Sequence, residues 1–273
     1  MAPLDDLAYY RRLDPEGMLE HIQEFPAQVQ VAWAEASRFP WPPAPEGLRH
    51  IVVAGMGGSA IAGELLADLA LEFSPVPIIV HRDYGLPAYV GPHSLVVASS
   101  YSGNTEETLD ATREALRRGA PVVGLASGGG LAEMAAQAGF PTFTIRYRSS
   151  PRAALAHSFV PLLYFLQHLG LLPNQHSALE SAVAPLQAMS DAIGAQVPTK
   201  SNPAKRLAYE LHGRLAVVYG VGFLAPVAHR WKTQINENAK AWAFYEALPE
   251  MNHNAILGYE QPDQLASGSF VVL

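Results

Sequence analysis

Five short apolar runs alternate with helical patterns between residues 49 and 145, and this alternation constrains the fold more than any other feature of the sequence. The runs cover residues 49–54, 76–80, 94–99, 121–126 and 141–145. Apolar runs of this length, separated by amphipathic segments, are typical of buried strands in a parallel sheet with right-handed helical crossovers. We therefore predict an α/β fold with a doubly wound sheet, which binds ligands at the carboxyl ends of its strands.

The second half of the chain repeats this beginning after a helical stretch. Helical patterns cover 153–170, 177–196 and 203–213, and a strand with glycines at 214–222, a helix at 224–242 and a strand at 269–273 follow. We therefore predict two doubly wound parallel-sheet units, each an α/β/α sandwich, of which the second is truncated. The predicted domains are an N-terminal helical segment (1–48), a first sheet domain (49–152) and a helical connection with an incomplete second domain (153–273).

Composition argues against several classes of protein. The net charge of −7 disfavours a nucleic-acid surface, which needs clustered Lys and Arg. The absence of cysteine excludes disulfides, zinc–thiolate sites and a cysteine nucleophile. The sequence has neither a signal-peptide pattern nor an apolar run long enough to span a bilayer. We therefore expect a cytoplasmic protein without a nucleic-acid or membrane partner.

Hydroxyl side chains cluster at two of the predicted strand ends. The loop SYSGNT at 100–105 follows the third strand and opens a helix, while GMGGS at 55–59 follows the first strand. A helix N-terminus offers unpaired N–H groups and a positive dipole end, which bind phosphate. We therefore predict a phosphate ester, such as a sugar phosphate, bound by the hydroxyls and the glycine backbone of these loops. The hydroxyl residues are Ser59, Ser100, Ser102 and Thr105, and the glycines are Gly57, Gly58 and Gly103.

Two other interpretations of these loops stay open. Gly55, Gly57 and Ala60 loosely match the glycine pattern of dinucleotide-binding proteins, and Asp83 follows the second strand, where an acidic ribose contact would lie. Each serine or threonine on its own is also a candidate helix N-cap. Clustering of hydroxyls in two loops favours one compact phosphate over either alternative.

Five segments, in order along the chain, resemble the successive motifs of one enzyme family. They are GMGGS at 55–59, SYSGNTEET at 100–108, PR at 151–152, NENAK at 236–240 and PEMNHN at 249–254. From about residue 49 onward the chain resembles the bifunctional phosphoglucose/phosphomannose isomerases of the sugar isomerase (SIS) superfamily. The first two segments indicate a phosphosugar-binding SIS domain, whereas the last two are specific to the isomerase branch. The resemblance implies two SIS-type units, no cofactor and a homodimer, and the spacing of the other histidines predicts no metal site.

The resemblance also implies roles for three residues. Isomerisation moves a proton between C1 and C2 through a cis-enediol, so a carboxylate is the expected base, and Glu237 takes this role. His253, donated across the dimer interface, would open the sugar ring, and Arg152 would stabilise the enediolate. Each has an alternative: an ion pair with Lys240 for Glu237, a turn for His253, and a helix dipole or surface acid for Arg152.

The sequence departs from the family at its C-terminal end. In the family the second sheet continues beyond the strand at 269–273, and a later lysine takes part in ring opening, whereas the last lysine here is Lys240. We therefore expect reduced activity, and an alternative stays open in which the chain only binds or senses phosphosugars. An apolar strand at a sheet edge further predicts cover by a second subunit. The absence of cysteine disfavours a glutamine-dependent aminosugar synthase, and the choice between glucose and mannose epimers stays open.

Overall fold

The computed structural model describes residues 3–272, and all statements on the fold refer to this part of the chain. Its strands are β1 (His50–Ala54), β2 (Ile78–His81), β3 (Ser94–Ser99), β4 (Val122–Ala126), β5 (Thr142–Thr144), β6 (Leu215–Val221), β7 (Ala243–Leu248) and β8 (Ser269–Val272). Its α-helices are α1 (Leu7–Leu13), α2 (Met18–Gln23), α3 (Phe25–Arg38), α4 (Gly57–Ala70), α5 (Glu106–Arg117), α6 (Gly129–Ala138), α7 (Leu155–His168), α8 (His176–Ile193), α9 (Pro203–Leu211), α10 (Ala225–Gln234) and α11 (Asp263–Gly268).

The chain forms two compact units, one of which combines residues from both ends of the sequence. One unit is Ala27–Val183, and the other combines the described residues up to Pro26 with those from Ala184 onward. We call them the phosphate-loop unit and the second-sheet unit. The boundaries therefore fall inside α3 and α8.

The phosphate-loop unit contains the predicted doubly wound sheet. Its five strands are all parallel in the order β2-β1-β3-β4-β5, which confirms the predicted fold class. Strands β3 and β4 are buried along their whole length because helices cover both faces of the sheet. The order reverses between β1 and β3, so the loops that follow these strands lie on either side of the switch point.

Close helix–strand packing holds α4 on this sheet. A Cβ at Gly63 would lie only 2.8 Å from Cγ1 of Val53, so only glycine lets this helix approach β1 so closely. Helix α7 packs on α4, and its Phe165 stacks against Trp41 at a ring separation of 4.7 Å. Helix α4 therefore packs closely on both β1 and α7, and its N-terminus carries the glycine turn.

The second-sheet unit contains three parallel strands in the order β7-β6-β8, in agreement with a smaller second sheet. The predicted final strand is β8 as far as Val272, whereas Leu273 lies outside the described residues. Strand β8 forms one edge of this sheet, and its cover by a second subunit stays a prediction.

The prediction of one helix over 224–242 is wrong at its C-terminal end. Helix α10 stops at Gln234 and passes into a π-helical turn, Ile235–Ala239, which ends because Lys240 adopts a left-handed backbone conformation with φ +55°. The following residues form β7, a strand that the sequence pattern did not predict, and Phe244 and Tyr245 lie on it. None of the helices within residues 3–272 combines the length and the apolar character that crossing a membrane requires.

Candidate active site

The glycine turn after β1 allows three backbone segments to approach closely. A Cβ at Gly55 would lie 2.7 Å from the carbonyl oxygen of Ser99, and one at Gly58 would lie 2.9 Å from that of Pro151. Gly57 has a positive φ of +49°, which glycine adopts at little cost. The three glycines therefore give α4 an N-terminus that packs against the end of β3 and against the segment carrying Arg152.

Ser59 lies in the first turn of α4 and is buried. Its Oγ accepts a hydrogen bond from the N–H of Tyr101 at 3.1 Å, so the glycine turn is joined directly to the hydroxyl loop. The residue at the N-cap position is Met56, so Ser59 is not an N-cap. A serine hydroxyl that accepts one hydrogen bond still carries its own proton, which can be donated to a phosphate oxygen.

Ser100 shapes the hydroxyl loop from within. Its buried Oγ accepts hydrogen bonds from the N–H groups of Gly103 at 3.1 Å and Thr105 at 3.4 Å, and it lies 2.8 Å from Oγ1 of Thr105. Thr105 occupies the N-cap position of α5 without a side-chain capping bond. Ser102 is exposed and accepts a hydrogen bond from the N–H of Asn104 at 3.2 Å. Ser100 therefore holds Gly103 and Thr105 together from inside the loop, whereas Ser102 lies on its exposed side.

The switch point brings Ser59 and the hydroxyl loop together. The loops after β1 and β3 are adjacent because these strands pair, and the helices α4 and α5 begin directly after them. Both helix N-termini therefore contribute positive dipole ends at the same edge of the sheet, which is the place where doubly wound folds bind ligands. A chain with a net charge of −7 needs such local positive potential to hold a phosphate.

Arg152 belongs to the same unit and follows β5, as predicted. It is half-buried in a short 3₁₀ turn, Pro151–Ala153, and its backbone N lies 3.5 Å from a Cβ built at Gly58. The turn that carries the guanidinium therefore packs on the glycine turn. Asp83, the acidic residue of the dinucleotide interpretation, is exposed in the loop after β2, where its Oδ1 accepts the N–H of Tyr84 at 2.8 Å.

Glu237 lies in the π-helical turn of the second-sheet unit. Asn236 donates to the carbonyl oxygen of Ala241 at 2.8 Å, and Asn238 donates to Oε1 of Gln234 at 2.9 Å, so both asparagines fasten this turn. Lys240 donates to the backbone carbonyl oxygen of Glu237. π-Helical turns are rare and occur frequently at functional sites, because the extra residue re-orients the side chains around it.

A partly buried arginine, Arg230, lies on the helix that precedes Glu237. Burial lowers the pKa of Arg230 to about 10, while the negative charge of Glu237 acts in the opposite direction. Arg230 lies on α10, seven residues before Glu237, and the π-helical turn begins between them. Arg230 is not among the predicted site residues, because a single arginine ahead of the NENAK segment forms no recognisable pattern.

His253 ends a short 3₁₀ turn, Glu250–His253, that follows β7 in the second-sheet unit. Met251 is buried and anchors the turn, whereas His253 is exposed. Asn254 donates to Oε1 of Glu250 at 2.6 Å, and its own Oδ1 accepts the N–H of Ala255 at 2.6 Å. The asparagine thus closes the turn, and the imidazole lies on the surface of this unit.

The predicted residues therefore divide between the two units. The second-sheet unit holds Glu237 and His253, and the phosphate-loop unit holds the other predicted residues. These are Arg152, the glycines Gly57, Gly58 and Gly103, and the hydroxyl residues Ser59, Ser100, Ser102 and Thr105. Within residues 3–272, no group of three or more His, Asp or Glu side chains has the arrangement of a metal site.

Two ranges of the chain match known domain families. Residues 47–167 match the SIS domain, and residues 200–273 match the bacterial phospho-glucose isomerase C-terminal SIS domain. A bifunctional phosphoglucose/phosphomannose isomerase from Caldicellulosiruptor bescii is 41% identical over 249 residues, which cover 91% of this chain and 74% of that protein. The chain belongs to the bifunctional phosphoglucose/phosphomannose isomerase family.

Membership of this family favours the phosphosugar interpretation of the two loops over the dinucleotide one. Similarity extends to a D-glucosamine-6-phosphate 4-epimerase from Sulfolobus acidocaldarius, which is 35% identical over 203 residues, covering 74% of this chain and 61% of that protein. A solved structure, a glucose-6-phosphate isomerase like protein from Thermus thermophilus, has a TM-score of 0.58 at 18% identity and covers 95% of this chain and 72% of that chain. This last likeness supports the fold alone.

Proposed function

We propose that this member of the phosphoglucose/phosphomannose isomerase family interconverts glucose 6-phosphate and fructose 6-phosphate through a cis-enediol, with Glu237 as the base. The observation that carries the proposal is the joining of two hydroxyl-bearing loops at the switch point by the Ser59–Tyr101 hydrogen bond. A sugar phosphate satisfies these loops because a phosphate dianion accepts hydrogen bonds from several hydroxyl and N–H donors at once.

Each proposed role matches the chemistry of one residue. Glu237 removes the proton from C2 of the open-chain aldose while O1 gains a proton, which gives the cis-enediol. Loss of the O2 proton and return of a proton to C1 then give the ketose, so no proton is gained or lost overall. Arg152 stabilises the negative charge that develops on the enediolate oxygens. His253, supplied by the partner in a homodimer, exchanges protons with the ring oxygen and the anomeric hydroxyl during ring opening.

Glu237→Gln tests the proposal because it removes the base and keeps the shape of the side chain. A positioned general base contributes about 10²–10⁴-fold, so we expect kcat for fructose 6-phosphate to fall by at least about 100-fold. Binding of fructose 6-phosphate, measured by calorimetry, should change by less than about threefold, because the phosphate loops are intact. Glu210→Gln is the matched control, since Glu210 is exposed on α9 of the same unit. The control should keep the unmodified activity.

The outcome separates catalysis from binding. A fall in kcat of much less than about 100-fold in Glu237→Gln would contradict the role of the base. Binding without turnover in the unmodified protein would instead favour a phosphosugar-binding or sensing protein. The same assay with mannose 6-phosphate decides whether the C2 epimer is also a substrate.

A further inference from the structure

Tyr101 lies between the two serines of the hydroxyl loop and bonds to three other segments of the phosphate-loop unit. Its N–H donates to Oγ of Ser59 at 3.1 Å, and its carbonyl oxygen accepts from N and Oγ of Ser127 at 2.8 and 2.7 Å. Its hydroxyl donates to the carbonyl oxygen of Tyr147 at 2.7 Å and accepts from the N–H of Ser149 at 2.7 Å. The residue therefore connects the loops after β1, β3 and β4 with the segment after β5.

The segment that the hydroxyl binds leads directly to the turn of Arg152. Its first residue, Tyr147, is held on its other side, because its ring stacks on His157 at 4.5 Å and its hydroxyl accepts from Nε2 of Gln28 at 2.7 Å. At the far end of the segment, the carbonyl oxygen of Pro151 lies against Gly58. The Tyr101 hydroxyl thus holds the segment 147–152 at two points, the carbonyl oxygen of Tyr147 and the N–H of Ser149.

We infer that the Tyr101 hydroxyl is a positioning group that holds residues 147–152, and with them Arg152, in a fixed place relative to the phosphate-binding loops. Serine, which fills the neighbouring loop positions, is too short to reach this segment. The effect of Tyr101 on the reaction rests on the proposed function, because it acts through the role assigned to Arg152. Its effect on the segment itself is independent of catalysis.

Tyr101→Phe removes only the hydroxyl and keeps the ring and both backbone contacts. A small displacement of a group that acts in the transition state costs up to about 100-fold in rate, so we expect kcat for fructose 6-phosphate to fall by about 10- to 100-fold. KM should change by less than about threefold, because the loop hydroxyls are unchanged. In an Arg152→Ala background, the same substitution should change kcat by less than about threefold, since residues that act as one unit are non-additive.

Tyr89→Phe is the matched control. Tyr89 is half exposed and its ring meets that of His50 at the amino end of β1, the opposite edge of the sheet. Removing its hydroxyl should leave kcat, KM and exchange unchanged.

Amide hydrogen exchange provides the measurement that does not depend on turnover. The Ser149 amide should exchange at least about tenfold faster in Tyr101→Phe than in the unmodified protein, because it loses its acceptor. If the unmodified protein shows no isomerase activity, the proposed function fails and this exchange rate alone decides the positioning role. Unchanged Ser149 exchange in Tyr101→Phe would overturn the inference, as would a loss of kcat that is undiminished in the Arg152→Ala background.

Discussion

Gly103→Ala tests whether the hydroxyl loop owes its shape to one close contact with the loop after β4. Gly103 is buried, has φ +72° and donates its N–H to Oγ of Ser100. Its carbonyl oxygen accepts from the N–H of Leu131 at 2.8 Å, which fixes it against the start of α6. A Cβ on this residue would lie 1.7 Å from the carbonyl oxygen of Gly128, which is far inside any real contact distance.

Two costs add at this position. A left-handed backbone conformation costs a non-glycine residue about 1–2 kcal/mol. Forced overlap in a packed region costs about 1–3 kcal/mol more, because the backbone of Gly128 has to move. Gly119, at the other end of α5, separates the two costs. It has φ +70°, but a Cβ there would lie 4.0 Å from its nearest neighbour, Cγ of Pro92, so only the conformational cost applies. We expect losses of about 2–5 kcal/mol for Gly103→Ala and about 1–2 kcal/mol for Gly119→Ala.

Thermal unfolding and steady-state kinetics measure these effects together. A loss of 1 kcal/mol lowers Tm by about 2–4 °C in a protein of this size class, so the two variants should differ measurably. Gly103→Ala should also raise KM for fructose 6-phosphate, because the loop N–H groups and hydroxyls move apart, whereas Gly119→Ala should leave KM unchanged. Equal Tm values for the two variants, or an unchanged KM in Gly103→Ala, would refute the reasoning.

Two further predictions concern stability. Burial lowers the pKa of His157 to about 4 from its ordinary 6.5, so the unfolded chain binds a proton below about pH 6.5 that the folded protein excludes. The free energy of unfolding should therefore be fully retained above pH 6.5 and fall by about 3 kcal/mol towards pH 4. His157→Phe should flatten this part of the pH profile. Parallel pH profiles for the variant and the unmodified protein would contradict the prediction. Gly220→Ala should lower Tm, because a Cβ there would lie 2.3 Å from the carbonyl oxygen of Leu224. Gly258→Ala is the control and should leave Tm unchanged, because a Cβ there has no neighbour within 4 Å. Equal Tm values for the two variants would contradict the role of the close contact at Gly220.

The first sheet could be predicted from the sequence because its pattern is local. Strands β1, β3 and β4 are continuous apolar runs, and each is followed by glycines or hydroxyl residues that form no strand. The strand order alone predicts which loops lie at the switch point. The adjacency of the loops that carry Ser59 and Tyr101 is therefore a consequence of a fold that the sequence predicts.

The second-sheet unit was harder to predict because its features depend on tertiary contacts. Strand β7 contains Ala, Glu and Leu, which favour helices, and it is a strand because it pairs with β6. The π-helical turn around Glu237 depends on hydrogen bonds of Asn236 and Asn238 that no periodicity reveals. Likewise, the contacts of the Tyr101 hydroxyl join residues 46 and 48 positions apart, which no local pattern encodes.

Isomerisation in D₂O tests the central claim most directly. The protein is incubated with fructose 6-phosphate in D₂O, and the glucose 6-phosphate formed is analysed by NMR for deuterium at C2. A cis-enediol with Glu237 as base predicts that solvent deuterium enters C2 of glucose 6-phosphate as the two sugars interconvert, and that Glu237→Gln forms this product at least about 100-fold more slowly. A C2 position that stays free of deuterium even after repeated interconversion of the two sugars, or deuterated product formed at the unmodified rate by Glu237→Gln, would contradict the account.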